Sequence, residues 1–279
     1  MLKRSFILTL VSALFVSDAL AQYYYRDILL SRQSAELISS YKAQRIRTVV
    51  LQSFEADGSP TEGFRGRQIV KSNYSQLITE VESPAAGSSQ LTSTFDAAGR
   101  LLRTSDTTDG AGSVTEYSYD AAGRVLEIQN VSTSAGGAKM REEHLWTYDT
   151  TGAPLQMLRI KNQSDTTVVS FVIGSNGKVE EETSVRRGTN LPSVSYFYDN
   201  SGRLTDVAAY NAKARRLLPL YVFEYGPKGE IKSMMVVPEG SDEYQTWQYT
   251  YNEAGLKTRE LCYDKRRQLL GRIEYKYEK

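Results

Sequence analysis

From Thr115 to Tyr119 the chain alternates polar and aromatic side chains, and from Leu126 to Gln129 it alternates apolar and polar ones. A period of two sends successive side chains to opposite faces of a strand, so each stretch predicts one apolar, tyrosine-rich face and one polar face. Between them lies Asp120-Ala121-Ala122-Gly123. An Asp accepts hydrogen bonds from the backbone two residues on, and a Gly three residues later supplies the positive φ that closes a hairpin with a G1-type bulge. Strand, turn and strand thus follow from about fifteen residues.

The unit recurs. Phe95-Asp96-Ala97-Ala98-Gly99-Arg100-Leu101 and Tyr198-Asp199-Asn200-Ser201-Gly202-Arg203-Leu204 are near copies of Tyr119 to Val125, and weaker copies place turn glycines at Gly152, Gly177, Gly229 and Gly255. A degenerate copy, Phe54-Glu55-Ala56-Asp57-Gly58, lies upstream. One hairpin is marginal in water, so neighbours must pair and stack their tyrosines in ladders. The expected fold is all-β, an antiparallel meander of seven or eight hairpins forming an extended or curled sheet. Upstream, Ile28, Leu29, Leu37, Ile38 and Tyr41 fall near helical spacing, which predicts a short helix that caps an open sheet edge.

Residues 1–21 have a basic start at Lys3 and Arg4, an apolar run from Phe6 to Val16, and small residues Ala19 and Ala21. This reads as a secretory signal peptide, too short in its apolar run to span a bilayer. The expected organisation is signal peptide 1–21, helical cap 22–48 and repeat domain 49–279. Without Lys3, Arg4 and Asp18 the remaining 258 residues are formally neutral, which gives no electrostatic argument for nucleic acid. The expected location is the periplasm, the outer membrane or the exterior of a Gram-negative bacterium, with no transmembrane segment after cleavage.

One histidine and one cysteine exclude much catalytic chemistry, since a Cys/His zinc site needs about four such ligands. His144, in a strand, has no motif around it that supplies a nucleophile, and it reads as a satisfied strand or surface residue. Asp96, Asp120, Asp149 and Asp199 have a turn-forming role, and Glu180-Glu181-Glu182 reads as a charged strand. Asp106 and Asp109 fall in what reads as a solvated loop without EF-hand spacing. Asn73, Asn130 and Asn162 open glycosylation-type triplets. Cys262 reads as a buried thiol. No cofactor and no enzyme activity are expected.

Two features carry recognition chemistry. Tyr117 and Tyr119 either form core or, on an open face, offer stacking platforms for sugar rings. Lys213, Arg215, Arg216, Lys265, Arg266 and Arg267 occupy equivalent loops two repeats apart and line a rim suited to an anionic glycan or protein partner.

The Tyr-x-Tyr-Asp-x-x-Gly-Arg pattern resembles the YD or RHS-type repeat over about residues 90–279. The resemblance implies an antiparallel sheet built hairpin by hairpin, which in long members coils into a shell around a toxin. The leading expectation is an exported, non-enzymatic structural or protein-interaction module of the cell envelope. The alternatives are carbohydrate binding through a tyrosine-lined face, or a minimal relative of toxin-encapsulating shells.

Overall fold

The computed structural model describes residues 23–84, 87–238 and 243–279; the signal-like segment 1–21 lies outside them. Helix α1 (Arg26–Gln44) is followed by strands β1 (Thr48–Glu55), β2 (Arg65–Val70), β3 (Gln76–Ser83) and β4 (Gly87–Phe95). Next come β5 (Leu101–Thr108), β6 (Ala111–Tyr119), β7 (Val125–Thr133), β8 (Lys139–Tyr148), β9 (Pro154–Lys161) and β10 (Asp165–Ile173). The chain continues through β11 (Val179–Arg186), β12 (Thr189–Asn190), β13 (Val194–Tyr198), β14 (Leu204–Asn211) and β15 (Arg216–Tyr225). It finishes with β16 (Ile231–Val236), β17 (Gln245–Tyr251), β18 (Lys257–Tyr263) and β19 (Leu269–Glu278). No helix among the described residues is long and apolar enough to cross a membrane.

Every strand pairs antiparallel with its chain neighbour, and β1 also pairs with β19, from Thr48↔Glu278 to Glu55↔Gly271. Short β12 leaves the ring, since β11 pairs directly with β13. The meander is therefore a closed 18-strand barrel. This corrects the expected extended or curled sheet.

The turns explain the closure. All seven turn glycines, from Gly99 to Gly255, adopt φ between 72° and 87°. Three residues after each comes a β-bulge, at Leu102, Leu126, Leu155, Glu180, Thr205, Lys232 and Thr258. A bulge adds a residue to one strand, bends it and increases its twist. Seven bulges at one end of one sheet coil it until its edges meet, and closure removes the unpaired edges altogether. The Gly58 turn has the same hydrogen bonds, with Gly58 N–H donating to Glu55 O, but lies at the opposite end and so outside the series.

With no edge to cover, α1 serves a different purpose from the expected edge cap. Its 19 residues, about 28 Å long at 1.5 Å per residue, pack inside the end that carries the seven glycine turns. Tyr23, Tyr24, Tyr25 and Ile28 join a core cluster with Ile128, Trp146, Met157, Val169, Tyr196 and Val207. Ile38 and Tyr41 join a second with Val49, Val70, Leu77, Phe95 and Ile273. One helix thus ties together opposite arcs of the wall.

Candidate functional site

The repeat motif builds the sealed end. Asp96, Asp120 and Asp199 each accept the backbone N–H four residues on, and each pairs with the Nε of the Arg there at 2.7–2.8 Å. Each guanidinium then lies over the tyrosine of the next hairpin: Arg100 over Tyr119, Arg124 over Tyr148, Arg203 over Tyr225. Those hydroxyls reach back, Tyr119 to Leu101 O, Tyr148 to Val125 O and Tyr225 to Leu204 O, each at 2.7 Å. Tyr198, Tyr251 and Tyr277 repeat the reach to Val179, Ile231 and Lys257. Asp closes its own turn, Arg holds the next ring, and that ring's hydroxyl satisfies a carbonyl of the previous repeat.

Inside this ring the wall offers polar groups to the start of α1. The Glu182 carboxylate accepts the N–H groups of Tyr24 at 3.0 Å and Tyr25 at 3.1 Å, and the Tyr196 hydroxyl at 2.6 Å. Two amides that a helix start would otherwise leave unpaired are thereby satisfied. Burial outweighs these donors and pushes the Glu182 carboxyl up to about 7. His144 places Nδ1 2.5 Å from Asp27 Oδ2 of α1 and Nε2 2.9 Å from Glu142 Oε1. Arg159 donates to the other oxygen of Glu142 at 2.6 Å. Burial opposes the charged imidazole, but the two carboxylates prevail and raise His144 to about 9.

The other end is unlike this one. A cavity of about 440 Å³ there is lined by Asp106, Thr108, Ser113, Ser132, Ser134 and Met140. It adjoins one of about 1290 Å³ along β1 to β5, with which it shares Thr108, Ala111 and Gly112. Asp106 is therefore a strand residue at a cavity, not part of a solvated loop, and burial raises its carboxyl above the usual range.

The basic residues named from sequence fall at this open end. Lys213, Arg215 and Arg216 are exposed in and beside the β14–β15 hairpin, and Arg266 and Arg267 are exposed in the β18–β19 hairpin. Arg215 and Arg267 occupy matching left-handed turn positions, at φ 51° and 60°. Lys265 pairs with Glu243 at 2.5 Å. The two groups are not brought into contact, because β16 and β17 separate them. Tyr117 and Tyr119 pack against the core clusters instead of an open face. Cys262 is a buried free thiol.

His144 is a satisfied strand residue and Glu182 lies in a strand as expected, but the inward, buried placing of Glu182 and the part played by Asp27 were not read from the sequence. Strict alternation from Val179 points Glu181 inward. The bulge at Glu180 shifts the parity by one and turns Glu182 into the barrel, where it is 2 % exposed.

No curated protein matches this chain. Among solved structures it is similar to a crystal structure of TcdB2-TccC3-Cdc42, at 15% identity over 77% of this chain and 12% of that one, with a TM-score of 0.35. It is also similar to a porin-like protein from Bacteroides uniformis, at 14% identity over 84% of this chain and 96% of that one, with a TM-score of 0.41. The chain thus spans 12% of the length of the TcdB2-TccC3-Cdc42 chain it matches. Residues 95–138, which hold the Asp96 and Asp120 turns, match the model of the family described as RHS Repeat.

Proposed function

We propose that this is an exported, non-enzymatic interaction module of the bacterial envelope, which presents the open end of its barrel to an acidic protein or anionic glycan. The observation that carries this is the placing of two basic hairpins, with Lys213, Arg215, Arg216, Arg266 and Arg267 exposed, at the end not occupied by α1. Clustered like charge raises the local concentration of an opposite partner and its rate of arrival. A wall carrying exposed ion pairs such as Arg103–Glu116 and Arg65–Glu82 suits water better than lipid, where charges facing outward are costly. The single histidine is already committed to two carboxylates, which speaks for binding over catalysis.

Replacing the five exposed basic residues by serine tests the reading. Retention on a sulfated polysaccharide and capture of partners from the native envelope should both fall at least about tenfold, with melting unchanged and the loss mimicked by high salt. Equal retention by both proteins overturns the reading. The hydroxyl-lined cavity around Asp106 supports a second reading, binding of a neutral glycan; Asp106→Asn with Ser132→Val then weakens glycan retention while the serine variant does not.

A further inference from the structure

The barrel wall is complete without α1. Each ring strand pairs with two neighbours and β1–β19 closes the ring, so the helix supplies none of the ladder. The two amides that lead into it, those of Tyr24 and Tyr25, are met by a wall side chain, Glu182, and its own first turn is tied to the wall through Asp27. At its other end Arg45 is in the left-handed conformation at φ 59°, and Ile46 and Val49 enter the second core cluster directly after it. The C-terminal half is thus anchored next to the chain's entry into β1, whereas the N-terminal half is held by side chains alone.

The central tie has a protonation requirement visible in its geometry. His144 faces a carboxylate oxygen from each ring nitrogen, Asp27 on one side and Glu142 on the other. Only an imidazolium has a proton for both; a neutral ring must turn a lone pair toward one carboxylate. Glu142 is also held by Arg159, so the contact that a neutral His144 gives up is the one to Asp27.

We propose that the N-terminal half of α1 is an opening plug, latched to the barrel by the protonated His144 bridge to Asp27, and that rising pH opens it while the barrel stays closed.

The charged and titratable groups facing the bridge are Asp27 and Arg26 of α1, Tyr24 before it, Glu142 of β8, Arg159 of β9, Glu182 of β11 and Tyr117 of β6. The two that titrate near neutrality act in one direction. His144 is raised to about 9 by Asp27 and Glu142 together; Glu142 stays beside it on β8 when the helix leaves, so docking adds the Asp27 share, and that share stabilises the docked state while the ring is protonated and is lost as pH rises toward 9. Glu182, raised to about 7, favours docking when protonated and adds a loss between 4.5 and 7. Burial of Tyr23, Tyr24 and Tyr25 opposes opening at every pH, so the change is in the population of an open state and not an all-or-none release.

Pulsed hydrogen exchange on the full chain tests this. Protection factors of amides 28–36 at pH 6.0 and 8.5, corrected for the chemical rate, should fall at least about tenfold at the higher pH while those of β1 and β19 do not. Asp27→Asn leaves the wall untouched and should bring the pH 6.0 protection down toward the wild-type pH 8.5 value, with most of the dependence gone. His144→Gln should do the same, and adding Glu182→Gln should flatten the remainder. Exchange of α1 and the strands at one common rate at both pH values overturns the proposal. So does a full wild-type dependence in Asp27→Asn, a variant that needs no change in the wall to be read.

Discussion

Gly123 adopts φ 79°, and a Cβ built there meets only the tip of Arg100 at 3.6 Å. Space is available, so the cost of a side chain is conformational. Gly123→Val should lose about 1–3 kcal/mol in urea unfolding, and Gly123→Asn clearly less, because Asn tolerates the left-handed region. At Glu182 the charge itself is costly. The folded chain holds a proton there up to about 7, against an ordinary value near 4.5, so stability falls as pH rises through that window. Glu182→Gln keeps an acceptor for the Tyr24 amide and should remove this fall, leaving the variant less sensitive than the wild type between pH 5 and 8 in thermal melts. The turn glycines were legible because each acts through its own φ. Glu182 was not, because its inward direction depends on the bulge at Glu180, and a bulge has no sequence signal beyond the turn that precedes it.

Between elements, the repeat is held by a relay that no single hairpin contains. The alternation around Tyr117 and Tyr119 identifies strands but not which carbonyl a hydroxyl finds. Leu101 O becomes the partner of Tyr119 only once β5 and β6 pair in register. Tyr119→Phe should therefore cost about 1 kcal/mol, the net worth of one hydrogen bond, and Tyr119→Ala about 3–5 kcal/mol through loss of a packed ring. Asp120→Ala should destabilise as well, by less than Tyr119→Ala, since it releases the Arg124 amide and guanidinium that the carboxylate holds. Chemical denaturation of the three variants orders these losses. Near-equal values for Tyr119→Phe and Tyr119→Ala count against the ring as core.

At the scale of the whole molecule, closure joins the two ends of the strand series, Thr48 with Glu278, 230 residues apart, whereas every other ring pairing is between strands that are consecutive once the short β12 is set aside. Local hairpins form at low loop-closure cost, and the β1–β19 seam carries the largest. Nothing in the repeat pattern announces this seam, because β1 and β19 alternate like the other strands and their match depends on the accumulated bend of seven bulges. Ile273 is fully buried in β19 and faces Ser53 of β1 on one side and Glu260 of β18 on the other. Proline there removes a ladder donor and imposes its own φ in a strand bonded on both sides. Ile273→Pro should keep most of the β signal in circular dichroism, since the earlier hairpins remain paired. It should nonetheless run as dimers and larger species in size-exclusion chromatography, because an opened ring exposes two long edges that pair with other chains. A monomeric Ile273→Pro protein with wild-type melting would show that the seam is not what holds the barrel shut.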